Sequence, residues 1–227
     1  MKIVIASATE NEVNTTGQWL KNPPPLRGTP FFKGGELALE VDLLVTGVGS
    51  TATTYSLTKY IVQHRPDLII QAGIGGSFTH DLPLETVVLV GKEVFADLGA
   101  VENQAITDIF DLGLAAADEH PFTDKMLVNP GIKKWENTGL PIVRGATINM
   151  VSSSSMQVNM IKEKYNPVVE SMEGAALHFV CLKEGIPFLQ IRAISNYCGE
   201  RDKSKWKLKE SIASLNTELQ KILKDLV

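Results

Sequence analysis

The sequence predicts one α/β domain over residues 1–227, with a mixed sheet between two layers of helices. Short runs of apolar and β-branched residues alternate with helical stretches along the whole chain, which is typical of α/β folds. No internal repeat and no low-complexity linker divides the chain. A chain of 227 residues is also long enough to bury a full hydrophobic core. We therefore expect a single three-layer α/β/α unit.

Hydrophobic periodicity predicts the individual elements. The runs that predict strands are residues 2–6, 42–45, 67–71, 86–93, 141–145, 168–170 and 188–194. The stretches with helical spacing are residues 10–20, 51–64, 157–165, 171–183 and 210–226. Residues 95–120 have weak periodicity and several acids, which predicts a mobile excursion. The NPPP run at residues 22–25 predicts a rigid loop.

The composition argues against several classes of function. Lys and Arg total 22 against 26 Asp and Glu, so the formal net charge is -4 and the cationic surface of a nucleic-acid binder is not expected. No apolar run approaches the roughly eighteen residues of a membrane span, and the N-terminus does not resemble a signal peptide. Cys181 and Cys198 stand outside any metal-ligand spacing. We therefore expect a cytoplasmic protein without a metal site.

Four polar or glycine-rich segments follow predicted strands, at residues 8–12, 46–50, 72–77 and 195–197. In open α/β sheets, ligands bind at the carboxyl ends of the strands, so we expect one shared site there. Tight turns at Gly47 and Gly49, and again at Gly73, Gly75 and Gly76, are expected to bring backbone amides near a ligand. The GVGSTA segment also fits a variant of the dinucleotide-binding fingerprint. Its context is wrong for that function, because the acid Asp67 begins the next strand instead of ending it.

Two acids follow the first predicted strand closely. A carboxylate at Glu10 or Glu12 can act as a general acid or base in the strand-end crevice, or it can simply stabilise the first helical turn. We favour the helix-start interpretation for Glu10. For Glu12, the residues alone leave both interpretations open.

The VESMEGAA and RAISNY segments carry further candidate residues. Glu173 leads a nearly uncharged helix and therefore needs partners, which vicinal ribose hydroxyls can supply, while Met172 can contact a sugar face. The simpler interpretation is a capped helix start at Ser171. Arg192 lies in an otherwise apolar strand and needs an anionic partner, for which Glu12 is a candidate. Asn196, just past that strand, is either a turn residue or a ligand contact.

Taken together, MKIVIASATENEV, ESMEGAA and RAISN resemble the nucleoside phosphorylase superfamily over essentially the whole chain. They are most similar to its nucleosidase branch, which includes the methylthioadenosine/S-adenosylhomocysteine nucleosidases, and within it to the futalosine hydrolases of menaquinone biosynthesis. The resemblance implies hydrolysis of a purine nucleoside, first of all futalosine to hypoxanthine and dehypoxanthine futalosine. It also implies a homodimer or larger homo-oligomer and no metal or organic cofactor.

Carried over by position, the resemblance implies a role for each matching residue. Glu12 would activate water, with Arg192 supporting that site, and Asn196 would hold the departing purine. Met172 and Glu173 would bind the ribose. Gly75 would lie beside the ligand, and residues 148–150, beginning with Ile148, would contact the base. Trp206 would contact the 5′-substituent and is flanked by Arg201, Lys203 and Lys205.

The positions at which this chain departs from the family pattern indicate which nucleophile and which base it uses. Phosphorylases carry a Gly-Asp-Pro-x-Arg phosphate loop near the first strand, whereas this chain has ASATENE, whose acids would repel phosphate. Water is therefore the expected nucleophile. Nucleosidases usually have Ser where this chain has Ile74, and Asp where it has Asn196. The alternatives are a methylthioadenosine-type or broad purine nucleosidase, a catalytically silent nucleoside-binding protein and a phosphate-dependent phosphorylase.

Overall fold

A computed structural model describes residues 1–21 and 39–226 of the chain. Its strands are Lys2–Ser7 (β1), Glu40–Val45 (β2), Leu68–Ser77 (β3), Val87–Glu93 (β4), Gly99–Glu102 (β5), Ala105–Asp108 (β6), Leu127–Val128 (β7), Ile142–Thr147 (β8), Val169–Ser171 (β9) and Phe188–Tyr197 (β10). Its α-helices are Glu10–Lys21 (α1), Ser50–His64 (α2), Ser155–Tyr165 (α3), Gly174–Glu184 (α4) and Leu208–Asp225 (α5). Short 3-10 helices lie at Ile132–Thr138 and Lys203–Lys205.

The main sheet is mixed, as the sequence predicts. Strands β2, β1, β3 and β10 lie side by side and parallel, while β4 is antiparallel to β10 and β9 is antiparallel to β3. Parallel pairings of β4 with β8 and of β8 with β9 then close a circuit of five strands, β3-β10-β4-β8-β9. This closure brings the ends of β3, β9 and β10 together in space, although they are far apart in sequence.

Helices cover both faces of the parallel strands. Ile5 and Ile70 face α1 and α5, while the neighbouring Val4 and Ile69 face α2 and α4. Because successive side chains of a strand point to opposite faces, a strand covered on both sides is apolar throughout. The predicted three-layer arrangement is confirmed.

A buried polar contact joins α1 to α5. The Asn216 side chain accepts from the Thr16 backbone N–H at 2.9 Å and donates to the Glu12 carbonyl at 2.8 Å. The start of α1 is therefore held in place by the C-terminal helix.

Two of the segments expected to be strand-end turns are strand. β3 continues through residues 72–77, and β10 pairs with it as far as Tyr197 opposite Ser77. Gly73, Gly75 and Gly76 do not have positive φ, so the predicted tight turn there is wrong. The neighbouring strands supply hydrogen bonds that let this glycine-rich segment stay extended. The predicted turn at Gly47 and Gly49 is confirmed, since their φ angles are +85° and +90°.

Other boundaries also differ from the predictions. α4 begins at Gly174 instead of residue 171, because Ser171 still belongs to β9. Within the excursion predicted at residues 95–120, β5 and β6 form an antiparallel hairpin that is separate from the main sheet. The loop expected at residues 22–25 lies outside the described residues. Within the described ranges, no helix has the length and apolar character needed to cross a membrane.

Candidate active site

The Glu12 side chain lies in the first turn of α1, just after β1, and is 7% exposed. One of its oxygens, Oε2, accepts from the Thr9 backbone N–H at 3.0 Å and from the Thr9 hydroxyl at 3.1 Å. The other, Oε1, accepts from the Ile74 backbone N–H at 3.1 Å. Reaching back to the residue that precedes a helix is half of a capping box. Glu12 therefore stabilises the helix start with one oxygen and faces β3 with the other.

Arg192 extends from β10 across β3 and is 1% exposed. Its Nη2 donates to the Gln71 side-chain oxygen at 2.8 Å, and its Nη1 donates to the Ile74 carbonyl at 3.3 Å. Its ion-pair partner is Glu173, at 3.4 Å, and not Glu12 as the sequence suggests. Glu12 is already held by backbone donors, whereas the closed strand circuit brings the end of β9 to Arg192.

Gly73 lets these charged groups approach each other. A Cβ atom at this position would collide with Arg192 Nη1 and would lie 3.0 Å from Glu12 Oε1. The missing side chain thus opens the space that the guanidinium and the carboxylate share. This is a close approach within an extended strand and requires no turn.

The Glu173 carboxylate stands at the start of α4 and is 5% exposed. Its Oε1 accepts from the Gly49 backbone N–H at 3.0 Å, so the turn before α2 contributes to the same site. The Met172 carbonyl accepts from the Ser50 hydroxyl at 3.2 Å, which ties the starts of the two helices together. Met172 itself is half-buried beside Glu173.

Asn196, near the end of β10, lines a cavity of about 600 Å³, a volume that suits a small molecule. The Ser195 hydroxyl donates to its Oδ1 at 2.9 Å, and its Nδ2 donates to the Tyr197 carbonyl at 3.2 Å. The amide oxygen therefore already has one donor, and one amide N–H remains for a ligand. His80 and Lys205 also line this cavity.

The other predicted substrate contacts lie in different surroundings. A Cβ atom on Gly75 would lie 2.7 Å from the Glu170 carbonyl, so this glycine allows β9 to pack against β3. Ile148 is buried and borders a second cavity of about 180 Å³. The Trp206 indole N–H donates to the Glu200 carbonyl at 3.1 Å, and the Arg201 guanidinium lies 5.7 Å from its ring. Trp206 is not part of the lining of the 600 Å³ cavity.

Several residues that build the site were not singled out from the sequence. Thr9 and Ser195 orient Glu12 and Asn196, and Gln71 binds Arg192. A polar Gln ending the apolar run DLIIQ is a signal of such a role, as is the T-x-x-E spacing from Thr9 to Glu12. The Gly49 backbone amide lies in the glycine turn from which the sequence predicted a backbone contact in the site.

A further buried carboxylate, Glu93, lies beneath the start of α4. It accepts from the Gln190 side chain at 2.9 Å and from the Thr147 hydroxyl at 3.1 Å. Thr147 in turn accepts from the Ala175 backbone N–H at 2.7 Å. Both oxygens of Glu93 are therefore satisfied within the protein, and a side chain on Gly174 would collide with one of them.

We predict that Glu93 makes the stability of the fold depend on pH. Burial raises the pKa of its carboxyl from about 4.5 to about 7, against the opposing effect of Gln190 and Arg192. The folded chain therefore holds this proton more tightly than the unfolded chain. The free energy of unfolding should fall by about 3 kcal/mol as the pH rises through that interval, and no further above it.

Urea denaturation at about pH 5 and about pH 8 measures this dependence. In Glu93→Gln, which carries no charge at either pH, the loss between the two should shrink by a similar amount. Wild type and variant losing equal stability over the interval would contradict the prediction.

Within the part of the chain that the structure describes, no cluster of three or more His, Cys, Asp and Glu side chains is placed to hold a metal ion. The polar groups of the site are instead carboxylates, one guanidinium, one amide and backbone N–H groups. This set can bind sugar hydroxyls, accept a proton and hold a heterocycle.

The chain is similar to known proteins of one superfamily. A model of the phosphorylase superfamily matches residues 2–227. Futalosine hydrolase from Thermus thermophilus is 28% identical over 216 residues, which cover 90% of this chain and 95% of that protein. The 5'-methylthioadenosine/S-adenosylhomocysteine nucleosidase from Chromohalobacter salexigens is 27% identical over 208 residues, which cover 88% and 86%. The native structure of Helicobacter pylori futalosine hydrolase has the same fold, with a TM-score of 0.79 at 19% identity over 99% of this chain and 98% of that one.

Proposed function

The chain belongs to the phosphorylase superfamily, and on that premise we propose that it is a nucleosidase, which hydrolyses the N-glycosidic bond of a purine nucleoside. The observation that carries this proposal is the meeting of two buried carboxylates, Glu12 and Glu173, around Arg192 at the ends of different strands. One carboxylate is available to a sugar and the other to a water molecule. The named activities of the relatives support the same chemistry.

Glu173 is suited to bind the ribose. Each of its oxygens has one donor in the protein, Gly49 N–H on Oε1 and Arg192 on Oε2. An ionised carboxylate has about four acceptor positions, so both oxygens can also accept from ribose hydroxyls. The neighbouring Met172 can pack its thioether against the sugar face. Such binding places the anomeric carbon near the centre of the site.

Glu12 is suited to take a proton from water. Thr9 supplies two donors to Oε2, while Oε1 has only the Ile74 N–H and faces the space that Gly73 leaves open. Oε1 therefore keeps an acceptor position for a water molecule. As the C1′–N9 bond stretches, the sugar gains oxocarbenium character. Glu12 deprotonates the water that attacks it, and Glu173 holds the sugar in place.

The same groups argue against phosphate as the nucleophile. Glu12 and Glu173 are buried near the proposed point of attack, and Arg192 is already paired with Glu173. An incoming phosphate would meet two carboxylates and a guanidinium that has no free charge to offer. Water carries no such penalty.

A test of the function is incubation with futalosine, inosine and methylthioadenosine in phosphate-free buffer. We expect free purine and free sugar, with hypoxanthine released from futalosine at the highest kcat/KM. Adenine released fastest from methylthioadenosine would instead favour the methylthioadenosine-type activity. A sugar 1-phosphate formed only when phosphate is added would contradict hydrolysis, and no purine release at all would favour a silent binding protein.

Asn196 is proposed to favour a 6-oxopurine over a 6-aminopurine. A 6-oxopurine presents acceptors at N7 and O6, and the free amide N–H of Asn196 can donate to that edge. Because Ser195 occupies Oδ1, the amide oxygen is less available to the amino group of adenine. An Asp at this position would face O6 acceptor to acceptor when ionised, whereas a protonated Asp can donate to N7 of adenine and accept from its amino group.

We therefore expect Asn196→Asp to move base preference toward adenine by about tenfold to a hundredfold, the effect of one mispaired buried polar group. The measurement is kcat/KM for futalosine and for its 6-amino analogue, on wild type and variant. Ser195→Ala is a second variant with a smaller expected effect. It removes the donor to Asn196 Oδ1 and should shift the ratio of the two kcat/KM values in the same direction. An unchanged ratio in Asn196→Asp would assign base choice to another part of the pocket.

A further inference from the structure

We infer that Glu170 is a second base-recognition residue, whose carboxylate accepts the N1–H of a 6-oxopurine beside Asn196. This inference rests on the proposed function, which places a purine at Asn196. It adds a second element of selectivity to that of Asn196, because Glu170 would contact N1 whereas Asn196 contacts the N7 and O6 edge.

Glu170 is buried but incompletely bonded. It is 4% exposed, and its Oε1 accepts from the Ser152 backbone N–H at 3.2 Å. Its Oε2 is buried and has no hydrogen-bond partner. Burial raises the pKa of the Glu170 carboxyl against the opposing effect of the Ser152 hydroxyl and backbone N–H. A donor supplied by a ligand would satisfy the unpaired oxygen.

The position of Glu170 places it on the same side of the sheet as Asn196. It lies on β9 directly opposite Gly76 of β3, and opposite residues of an antiparallel pair project from the same face. A Cβ atom on Gly76 would lie 3.3 Å from Asn196 Nδ2 and 3.1 Å from Cys198 Sγ. The missing side chain at Gly76 therefore leaves open space on the face shared by the acid and the amide.

The two side chains match the edge of a 6-oxopurine. On that edge N7 and O6 are acceptors and N1–H is a donor, in that order around the ring. Asn196 supplies a donor and Glu170 an acceptor, so the pattern is complementary. In a 6-aminopurine N1 is an acceptor, and it would face the Glu170 carboxylate acceptor to acceptor. The pair therefore favours hypoxanthine over adenine more strongly than Asn196 alone.

Glu93 provides a matched contrast. It is also a buried glutamate, but Gln190 and Thr147 satisfy both of its oxygens. Replacing Glu93 by Gln removes a buried charge without touching the proposed base site. It separates a general effect of losing a buried acid from a specific effect on base choice.

The test measures kcat/KM for inosine and adenosine on wild type, Glu170→Gln and Glu93→Gln. The side-chain amide introduced by Glu170→Gln can donate to N1 of adenine, so this variant should shift the inosine-to-adenosine ratio toward adenosine by about tenfold or more. Glu93→Gln should keep the wild-type ratio. An unshifted ratio in Glu170→Gln, or an equal shift in both variants, would overturn the inference.

A second measurement uses only the wild-type protein, in case Glu170→Gln does not fold. Hypoxanthine should inhibit the reaction at least about tenfold more strongly than 1-methylhypoxanthine, which lacks the N1–H. Equal inhibition would overturn the role of Glu170 while leaving the nucleosidase proposal intact. Failure of wild type to release a purine from any nucleoside would instead contradict the proposed function itself.

Discussion

Replacing Glu12 by Gln should lower kcat by about a hundredfold or more, the scale of losing a general base. The amide keeps the size and shape of the side chain but cannot take a proton from water. Its one oxygen can accept from the Ile74 N–H or from the Thr9 N–H but not from both, so the free energy of unfolding of the variant is measured beside its kcat. Substrate binding should persist, because no ribose or base contact is removed. Single-turnover kinetics, with a separate measurement of substrate affinity, distinguish these effects.

Glu10→Gln is the matched control for this experiment. Glu10 also lies in the first turn of α1, but it is exposed and has no place in the site. Both variants remove one negative charge from the same helix start, so they share any effect of the helix dipole. Glu10→Gln should keep wild-type turnover. Near-normal turnover in Glu12→Gln, or an equal loss in both variants, would remove Glu12 from the mechanism.

Replacing Glu173 by Gln should reduce kcat/KM for ribonucleosides by about tenfold to a hundredfold. A hydrogen bond to a charged group contributes about 1.5–3 kcal/mol, and the neutral amide offers fewer acceptor positions to the ribose hydroxyls. The variant also leaves Arg192 without its ion-pair partner. A loss that comes from sugar binding should therefore depend on the sugar.

Deoxynucleosides make this dependence measurable. Inosine, 2′-deoxyinosine and 3′-deoxyinosine should be compared on wild type and on Glu173→Gln, which gives a double-mutant cycle between side chain and hydroxyl. The variant should lose least on the substrate that lacks the hydroxyl bound by Glu173. Glu184→Gln, at the far end of α4, serves as control. Equal losses on all three sugars would indicate a purely structural role through Arg192.

Much of the fold followed from local patterns. The apolar runs predicted β4, β8 and α3 to within two residues, because hydrophobic periodicity reports burial and burial is shared by every residue of the run. The predicted element boundaries were wrong where pairing with a neighbouring strand determined the backbone conformation. Residues 72–77 look like a turn in isolation, yet pairing with β10 keeps them extended.

The same distinction between local and long-range information applies to the candidate site. Local sequence could propose Glu173 and Arg192, because a charged residue in an apolar setting requires a partner. The role of Glu12 was left open by the residues and was implied only by the family resemblance. The sequence paired Arg192 with the wrong acid, since Glu12 and Glu173 are equally charged and the sequence carries no distance between them. The close packing of Gly75 against β9 could not be predicted from the local sequence either.

The sequence by itself therefore determined the class of fold, the family motifs and the types of charged group available. Only the tertiary structure decided which of those groups meet. Closure of the β3-β10-β4-β8-β9 circuit brings Arg192 to Glu173, and the antiparallel pairing of β9 with β3 sets Glu170 opposite Gly76. The physical reason is that burial and periodicity are properties of a short segment, whereas an ion pair or an unpaired oxygen depends on strands that are distant along the chain.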